Sequence, residues 1–237
     1  METIVVGDMG QAVYGVVGMA VLSYAICGIP FGLIIGRAFG GRDIRRAGSG
    51  NIGTTNALRV AGPKVAALTL AFDLLKGTVC MLAARHALSL QTAYELPYGS
   101  LMPDGCVDWM VAVVALACLY GHVFSPYLKF HGGKGIATGV GILFGLSWPL
   151  ALAHLAIFIV LVAVTKYVSV GSIATAAVVP VTVWIAFPGI SPAALAIWAL
   201  LGWTVVWAHR ANIGRLRAGT ESKLSFTKRV DKMDDAA

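Results

Sequence analysis

The residues of this chain best suited to chemistry sit in two glycine-rich loops and one cationic segment. The first loop runs Ala47-Gly48-Ser49-Gly50-Asn51-Ile52-Gly53-Thr54-Thr55-Asn56-Ala57-Leu58-Arg59. Its glycines allow backbone N–H groups to converge on an anion, Ser49, Thr54, Thr55, Asn51 and Asn56 add hydroxyls and amides, and Arg59 can hold a phosphate through two parallel hydrogen bonds. The spacing also fits G-x-G-x-x-G, but a dinucleotide fingerprint needs a preceding strand and a βαβ unit. Here the loop lies between two long apolar runs. The bland alternative is a tight solvated turn with arginines that only orient the chain.

The second loop contains Gly121-His122 and then Phe130-His131-Gly132-Gly133-Lys134-Gly135, just before a short apolar run. It is not a Walker A sequence, since Leu128 stands where that motif needs glycine and Gly135 where it needs serine or threonine. Glycines and Lys134 at a helix start can still make an anion site from free N–H groups and the helix dipole. His122 and His131 read as hydrogen-bonded interfacial residues. The third segment holds His209, Asn212, Gly214 and Glu221 among arginines. His209 and Asn212, three apart, share one helix face.

Two further features lie inside apolar runs. Asp73 and Lys76 fall about 15 and 20 Å into a predicted span and can pair on one face of it. Charge at such depth is costly and marks either a functional site or an ion pair that ties helices together. Ser169 and Ser172 are spaced to face one pocket, or to make ordinary interhelical hydrogen bonds.

The elements that position these residues are membrane helices. With 58% hydrophobic and 12% charged residues and a mean hydropathy of +0.80, the 237-residue chain carries more apolar side chains than a globule of its size can bury. We expect an all-α integral membrane protein of about seven spans, near 11–36, 63–88, 107–126, 135–148, 149–166, 168–187 and 191–208. The fourth, of roughly 14 residues, is shorter than a full crossing needs and predicts a short, tilted or re-entrant segment. The whole of 1–237 reads as one domain, ending in a polar tail, 223–237. The N-terminal stretch holds Glu2 and Asp8 and lacks a basic signal-peptide region, so the first apolar run is expected to stay in the protein.

Arg37, Arg42, Arg45, Arg46 and Arg59 follow the first run, Lys129 and Lys134 the third, Lys166 the fifth, and a cationic stretch from Arg210 the last. The opposite connections lack lysine and arginine, and only Arg85 runs against the pattern. By the positive-inside rule the N-terminus lies outside, the C-terminus is cytoplasmic, and all the motif loops share the cytoplasmic face. The net charge of +7 therefore suits an anionic lipid surface or a phosphorylated substrate and not nucleic acid. Cys27, Cys80, Cys106 and Cys118 have no metal-ligand spacing and read as packing residues, and no metal or cofactor is expected.

Taken in order, Gly48-Ser49-Gly50-Asn51-Ile52-Gly53-Thr54-Thr55-Asn56 with Arg59, Asp73-Leu74-Leu75-Lys76-Gly77, Gly121-His122 with Phe130 to Gly135, and His209 with Asn212, Gly214 and Glu221 closely resemble the bacterial membrane glycerol-3-phosphate acyltransferases that use acyl phosphate as donor. Thr54 stands where that family commonly has alanine. The resemblance implies a multi-pass enzyme of the bacterial inner membrane. It would move a fatty acyl group from acyl phosphate to the 1-hydroxyl of sn-glycerol 3-phosphate, giving lysophosphatidic acid and phosphate. It also implies transient contact with other phospholipid-synthesis enzymes.

Within that reading Ser49, Asn212 and His209 are the catalytic candidates. Gly50, Asn51, Gly53, Thr55, Asn56, Arg59, Gly132, Gly133, Lys134, Gly135 and Ser172 are the candidates for binding substrate. Ser49, Thr55 and the N–H groups of 50–53 would hold donor phosphate, Arg59 and Lys134 would neutralise phosphate, and Asn212 and Ser172 would orient the acceptor. Asp73 and Lys76 are expected to be structural, as is Glu221, which by the resemblance pins the C-terminal segment. Either His209 or a substrate phosphate could accept the proton. No histidine is followed five positions later by aspartate, which argues against the His-x-x-x-x-Asp type of acyltransferase. A transporter of phosphate or a phosphorylated solute is the competing class, and it predicts paired halves with broken helices at mid-membrane.

Overall fold

The computed structural model describes residues 9–92 and 108–224. Glu2, Asp8, Cys106, most of the connection before the third run and the tail beyond Leu224 lie outside the described residues. Among the described residues the chain forms eleven α-helices and two 3-10 turns and no strand. The helices are α1 (Met9–Gly28), α2 (Phe31–Gly40), α3 (Thr54–Ala61), α4 (Pro63–Thr92), α5 (Asp108–Val123), α6 (Ile136–Leu146), α7 (Trp148–Thr165), α8 (Val168–Ala177), α9 (Val179–Ala186), α10 (Pro192–Ala208) and α11 (Arg210–Arg217).

By length and apolarity four stretches can cross a bilayer, or six if the bent pairs α8–α9 and α10–α11 each count once. The remaining expected span is α6. Its 11 residues reach only about 16 Å at 1.5 Å per residue, roughly half of the hydrocarbon thickness. Large apolar side chains such as Val160, Val164, Trp184, Ile185 and Trp203 are exposed around the outside of the bundle. A surface of this kind belongs in lipid, whose tails solvate it without the penalty water would impose.

The first expected run is broken. Pro30 ends α1 and starts α2, because its ring removes an N–H and cannot continue the preceding turn. The carbonyls released at the break find new donors: Lys76 Nζ lies 3.1 Å from the Ile29 oxygen, and Ser125 Oγ donates to Gly28 O at 2.6 Å. A second bend, 46° between α8 and α9, occurs where Pro180 enters the chain. Beside it His154 Nε2 and Thr182 Oγ1 lie 2.7 Å apart and join α7 to α9.

The short α6 is held by α4. Gly77, Gly141 and Gly145 let the two backbones approach so closely that a Cβ on Gly141 would collide with the Leu74 carbonyl. Thr78 Oγ1 reaches across to Gly141 O at 3.0 Å. At the far end of the bundle from the loops, Asp108 in the first turn of α5 accepts from Ser191 N and Oγ at 2.6 and 2.7 Å. Ser191 in turn caps α10, so one carboxylate fixes two helix starts.

Cys27, Cys80 and Cys118, distant in sequence, are all buried in the core, and their Sγ atoms lie within 4.8 Å of one another.

Candidate active site

Loop 44–53 is organised by Asn56, on the first turns of α3. Its Nδ2 donates to Ile44 O at 2.7 Å and Asn51 O at 2.8 Å, and its Oδ1 accepts from Ser49 N at 2.8 Å. Asn56 is only 2% exposed. It was expected to bind substrate directly; it borders the cavity described below, and its amide hydrogen bonds also shape the loop. Gly53 N donates to Asn51 Oδ1 at 2.9 Å and Gly50 N to Ala47 O at 3.2 Å. The expected cradle of N–H groups at 50–53 is therefore corrected at both glycines. Gly53 instead precedes α3, whose first-turn amides at Thr54 and Thr55 have no carbonyl one turn back to meet.

The second loop differs from expectation in the same way. Gly132 N and Gly133 N donate to Val123 O and His122 O, each at 3.0 Å. They satisfy the last carbonyls of α5 and do not face an anion. Side chains are excluded at both positions, since a Cβ on Gly132 would strike the His122 carbonyl and one on Gly133 the His122 ring. Gly135, with φ of 85°, turns the chain into α6.

A cavity of about 390 Å³ opens between these elements. Its polar end is lined by Ser49, Asn51, Gly53, Thr54, Thr55, Arg59, Lys134, Gly135, His209 and Asn212. Its other end is apolar, with Leu70, Leu74, Val140, Phe144, Leu155 and Phe158 from α4, α6 and α7. Ser169 and Ser172 of α8 also reach the wall, whereas Gly50, Gly132 and Gly133 do not.

A chain of polar contacts runs from the polar end of the cavity into the C-terminal segment. Lys134 Nζ donates to Asn212 Oδ1 at 2.6 Å, Asn212 Nδ2 to Glu221 Oε1 at 2.7 Å, and Arg215 Nε to Glu221 Oε2 at 2.6 Å. Each end of the Asn212 amide thus has a protein partner and keeps capacity for one more. Burial alone would raise the Glu221 carboxyl, but the bonds from Asn212 and Arg215 outweigh it and hold it below its ordinary value. Glu221 is placed as a clasp on the C-terminal segment. His209, at the 53° bend between α10 and α11, is 3% exposed. Its Nδ1 lies 2.8 Å from the Val205 carbonyl, which can only accept, so the neutral ring carries its proton on Nδ1 and its lone pair on Nε2.

At the cavity wall Asp73 pairs with Lys76 at 2.7 Å, both almost wholly buried. Lys76 Nζ also lies 3.0 Å from His122 Nδ1 and 3.1 Å from Ile29 O. The ammonium thus hydrogen-bonds to α5 and to the α1–α2 break and pairs in charge with a carboxylate on its own helix, contacts that offset its burial. His122 is thereby a member of the group and not merely interfacial. Its burial against glycines was not legible from spacing, although the Gly132-Gly133 pair was the available signal.

Arg59 makes no ion pair or side-chain hydrogen bond among the described residues, and Lys134 is bound only to a neutral amide. Burial, then the charges of Arg215 and Arg59, outweigh the opposing pull of Glu221 and push the Lys134 ammonium down to about 8. Any attraction of Lys134 for a phosphate dianion needs the protonated form, so it would be present below that value and lost as pH rises through it. If a phosphorylated substrate binds here, its KM is expected to climb above about pH 8, by up to tenfold per unit for one proton, with a smaller change in kcat. Lys134→Arg should shift the break upward. An acceptor KM that stays flat to about pH 9.5 would remove Lys134 from phosphate binding.

These features define a helical membrane protein whose cavity joins free cations and helix-start amides to a hydrocarbon wall. The family model for glycerol-3-phosphate acyltransferase matches residues 17–219. A glycerol-3-phosphate acyltransferase of Trichlorobacter lovleyi is 43% identical over 201 residues, covering 85% of this chain and 93% of that one. One from Brucella anthropi is 40% identical over 208 residues, covering 88% and 92%. A crystal structure of PlsY (YgiH), an integral membrane glycerol 3-phosphate acyltransferase, in its glycerol 3-phosphate form superimposes with a TM-score of 0.76 at 28% identity, covering 89% of this chain and 96% of that one. The chain belongs to the glycerol-3-phosphate acyltransferase family and is of the PlsY type.

Proposed function

We propose that this enzyme uses acyl phosphate as its donor and forms lysophosphatidic acid. The observation that carries the reading is the two-ended cavity, with Arg59 and Lys134 at one end and Leu155, Phe158 and Phe144 at the other. An acyl phosphate has the same two ends, and the acceptor brings a second phosphate that the same cations can hold. The similar PlsY has also been crystallised in a lysophosphatidic acid form, which supports the product assignment. Nothing among the reported relatives favours a transporter.

The 1-hydroxyl oxygen of sn-glycerol 3-phosphate attacks the acyl carbonyl carbon. The bond from that carbon to the bridging oxygen breaks, and phosphate leaves with the electron pair. A mixed anhydride is already activated, so no acyl-enzyme is needed and the protein contributes orientation and charge. Ser49, Thr55 and the amides of Thr54 and Thr55 hold donor phosphate. Arg59 and Lys134 neutralise both phosphates, and Ser172 with the remaining capacity of Asn212 orients the acceptor. Residues 1–237 act as one domain in the bacterial inner membrane, N-terminus outside, with all motif loops on the cytoplasmic face. Side-selective thiol labelling at 49, 134 and 223 should react only from the cytoplasm.

Purified protein in lipid, supplied with acyl phosphate and glycerol 3-phosphate, should release phosphate and lysophosphatidic acid with no gradient. Product formed only from acyl thioesters would overturn the donor assignment.

The proton is assigned to a phosphate oxygen, with His209 positioning the acceptor, because two phosphates adjoin the reacting hydroxyl. His209→Gln is then expected to weaken acceptor binding and recover at saturation. If His209 is the base, turnover falls by roughly 100-fold at saturation instead.

A further inference from the structure

We propose that Cys27, Cys80 and Cys118 form a binding site for a trivalent thiophilic metalloid, of the arsenite class, inside the helix core. The three thiols come from α1, α4 and α5, are 0%, 4% and 0% exposed, and lie with Sγ atoms within 4.8 Å of one another. Three sulfurs so placed can converge on one small soft centre. Met81, Ala84, Val114 and Ala115 of the hydrophobic core surround them, the Ser23 hydroxyl is the polar group against them, and the nearby Lys76 charge is already balanced by Asp73.

That environment chooses the ligand by charge. A divalent ion on three thiolates leaves a net negative charge, and burying an uncompensated charge costs several kcal/mol. A trivalent metalloid on the same three thiolates is neutral. Arsenous acid is uncharged, so it can enter apolar surroundings. Three As–O bonds break and three As–S bonds form, each thiol proton leaves with a hydroxide as water, and arsenic stays trivalent.

The site sits beside the buried ion pair. Cys80 is one turn beyond Lys76 on α4, Cys118 one turn before His122 on α5, and Cys27 Sγ lies 3.6 Å from the Lys76 carbonyl. A bridged cluster therefore pins α1, α4 and α5 next to the ion pair at the cavity wall. The inference does not depend on the donor proposed above.

The test uses full-length protein in lipid carrying Cys106→Ser, so that the thiol outside the described residues is removed. Incubation with arsenite and removal of excess by a monothiol should leave one arsenic per chain. Intact mass should rise by one arsenic less three hydrogens, and the thermal midpoint should increase. Cys27→Ala and Cys118→Ala should each weaken retention by about a hundredfold, the scale on which a lost arm lowers effective concentration. Two checks keep a negative result readable: each variant must elute as the parent does in gel filtration, and a soluble three-cysteine peptide must retain arsenic. Failure of the parent to retain arsenic, equal retention by the alanine variants, or equal retention of zinc would overturn the proposal.

Discussion

Purified Arg59→Ala is expected to insert and fold normally yet lose about a hundredfold or more in kcat/KM, the usual scale for removing one preorganised charge from a developing anion. Arg59 lies on α3 and reaches the cavity wall, and among the described residues no carboxylate pairs with it. Its charge is therefore available to substrate, and its removal breaks no ion pair or side-chain hydrogen bond among the described residues. Lys134→Ala should show a similar kinetic loss with a second effect. Asn212 would lose its 2.6 Å partner, so the clasp through Glu221 loosens and the C-terminal segment becomes easier to cleave. Steady-state kinetics in lipid and limited proteolysis separate the two. Near-parent turnover by either variant would reduce these residues to topology signals.

The largest effect on stability should come from the buried pair. Asp73→Asn or Lys76→Met alone is expected to cost about 3–5 kcal/mol, because each leaves an uncompensated charge out of water. In Lys76→Met the loss extends to the Ile29 carbonyl and His122 Nδ1, both of which lose their donor. The double replacement should cost clearly less than the sum of the singles. Thermal unfolding of all three in one detergent reads the difference. Additive losses would show that the two charges act separately and would move Asp73, which also lines the cavity, towards substrate.

The composition and the hydrophobic runs were sufficient to establish a helical membrane protein, because lipid admits only segments that satisfy their own backbone. Arg59, Lys134, His209, Asn212 and Glu221 were recognisable as candidates for a related reason: polar side chains beside membrane-length apolar runs are costly unless they have work to do. The pairing of Asp73 with Lys76 followed from their spacing on one helix. What the loops do with their backbones did not. The amides of Gly50, Gly53, Gly132 and Gly133 were expected to meet an anion, yet they close turns or satisfy the end of α5, and the open amides fall to the start of α3. Periodicity could not show this, since a glycine signals room for an approach without naming what approaches. The roles of Asn56 and His122, the partner of the Ile29 carbonyl freed at Pro30 and the meeting of three cysteines likewise depend on residues from 5 to 91 positions apart. Sequence determined which groups were worth burying beside the membrane. Only the packing of α1, α4, α5 and α6 decided which of them touch, because contacts between helices depend on their relative rotation and on where glycine lets two backbones close.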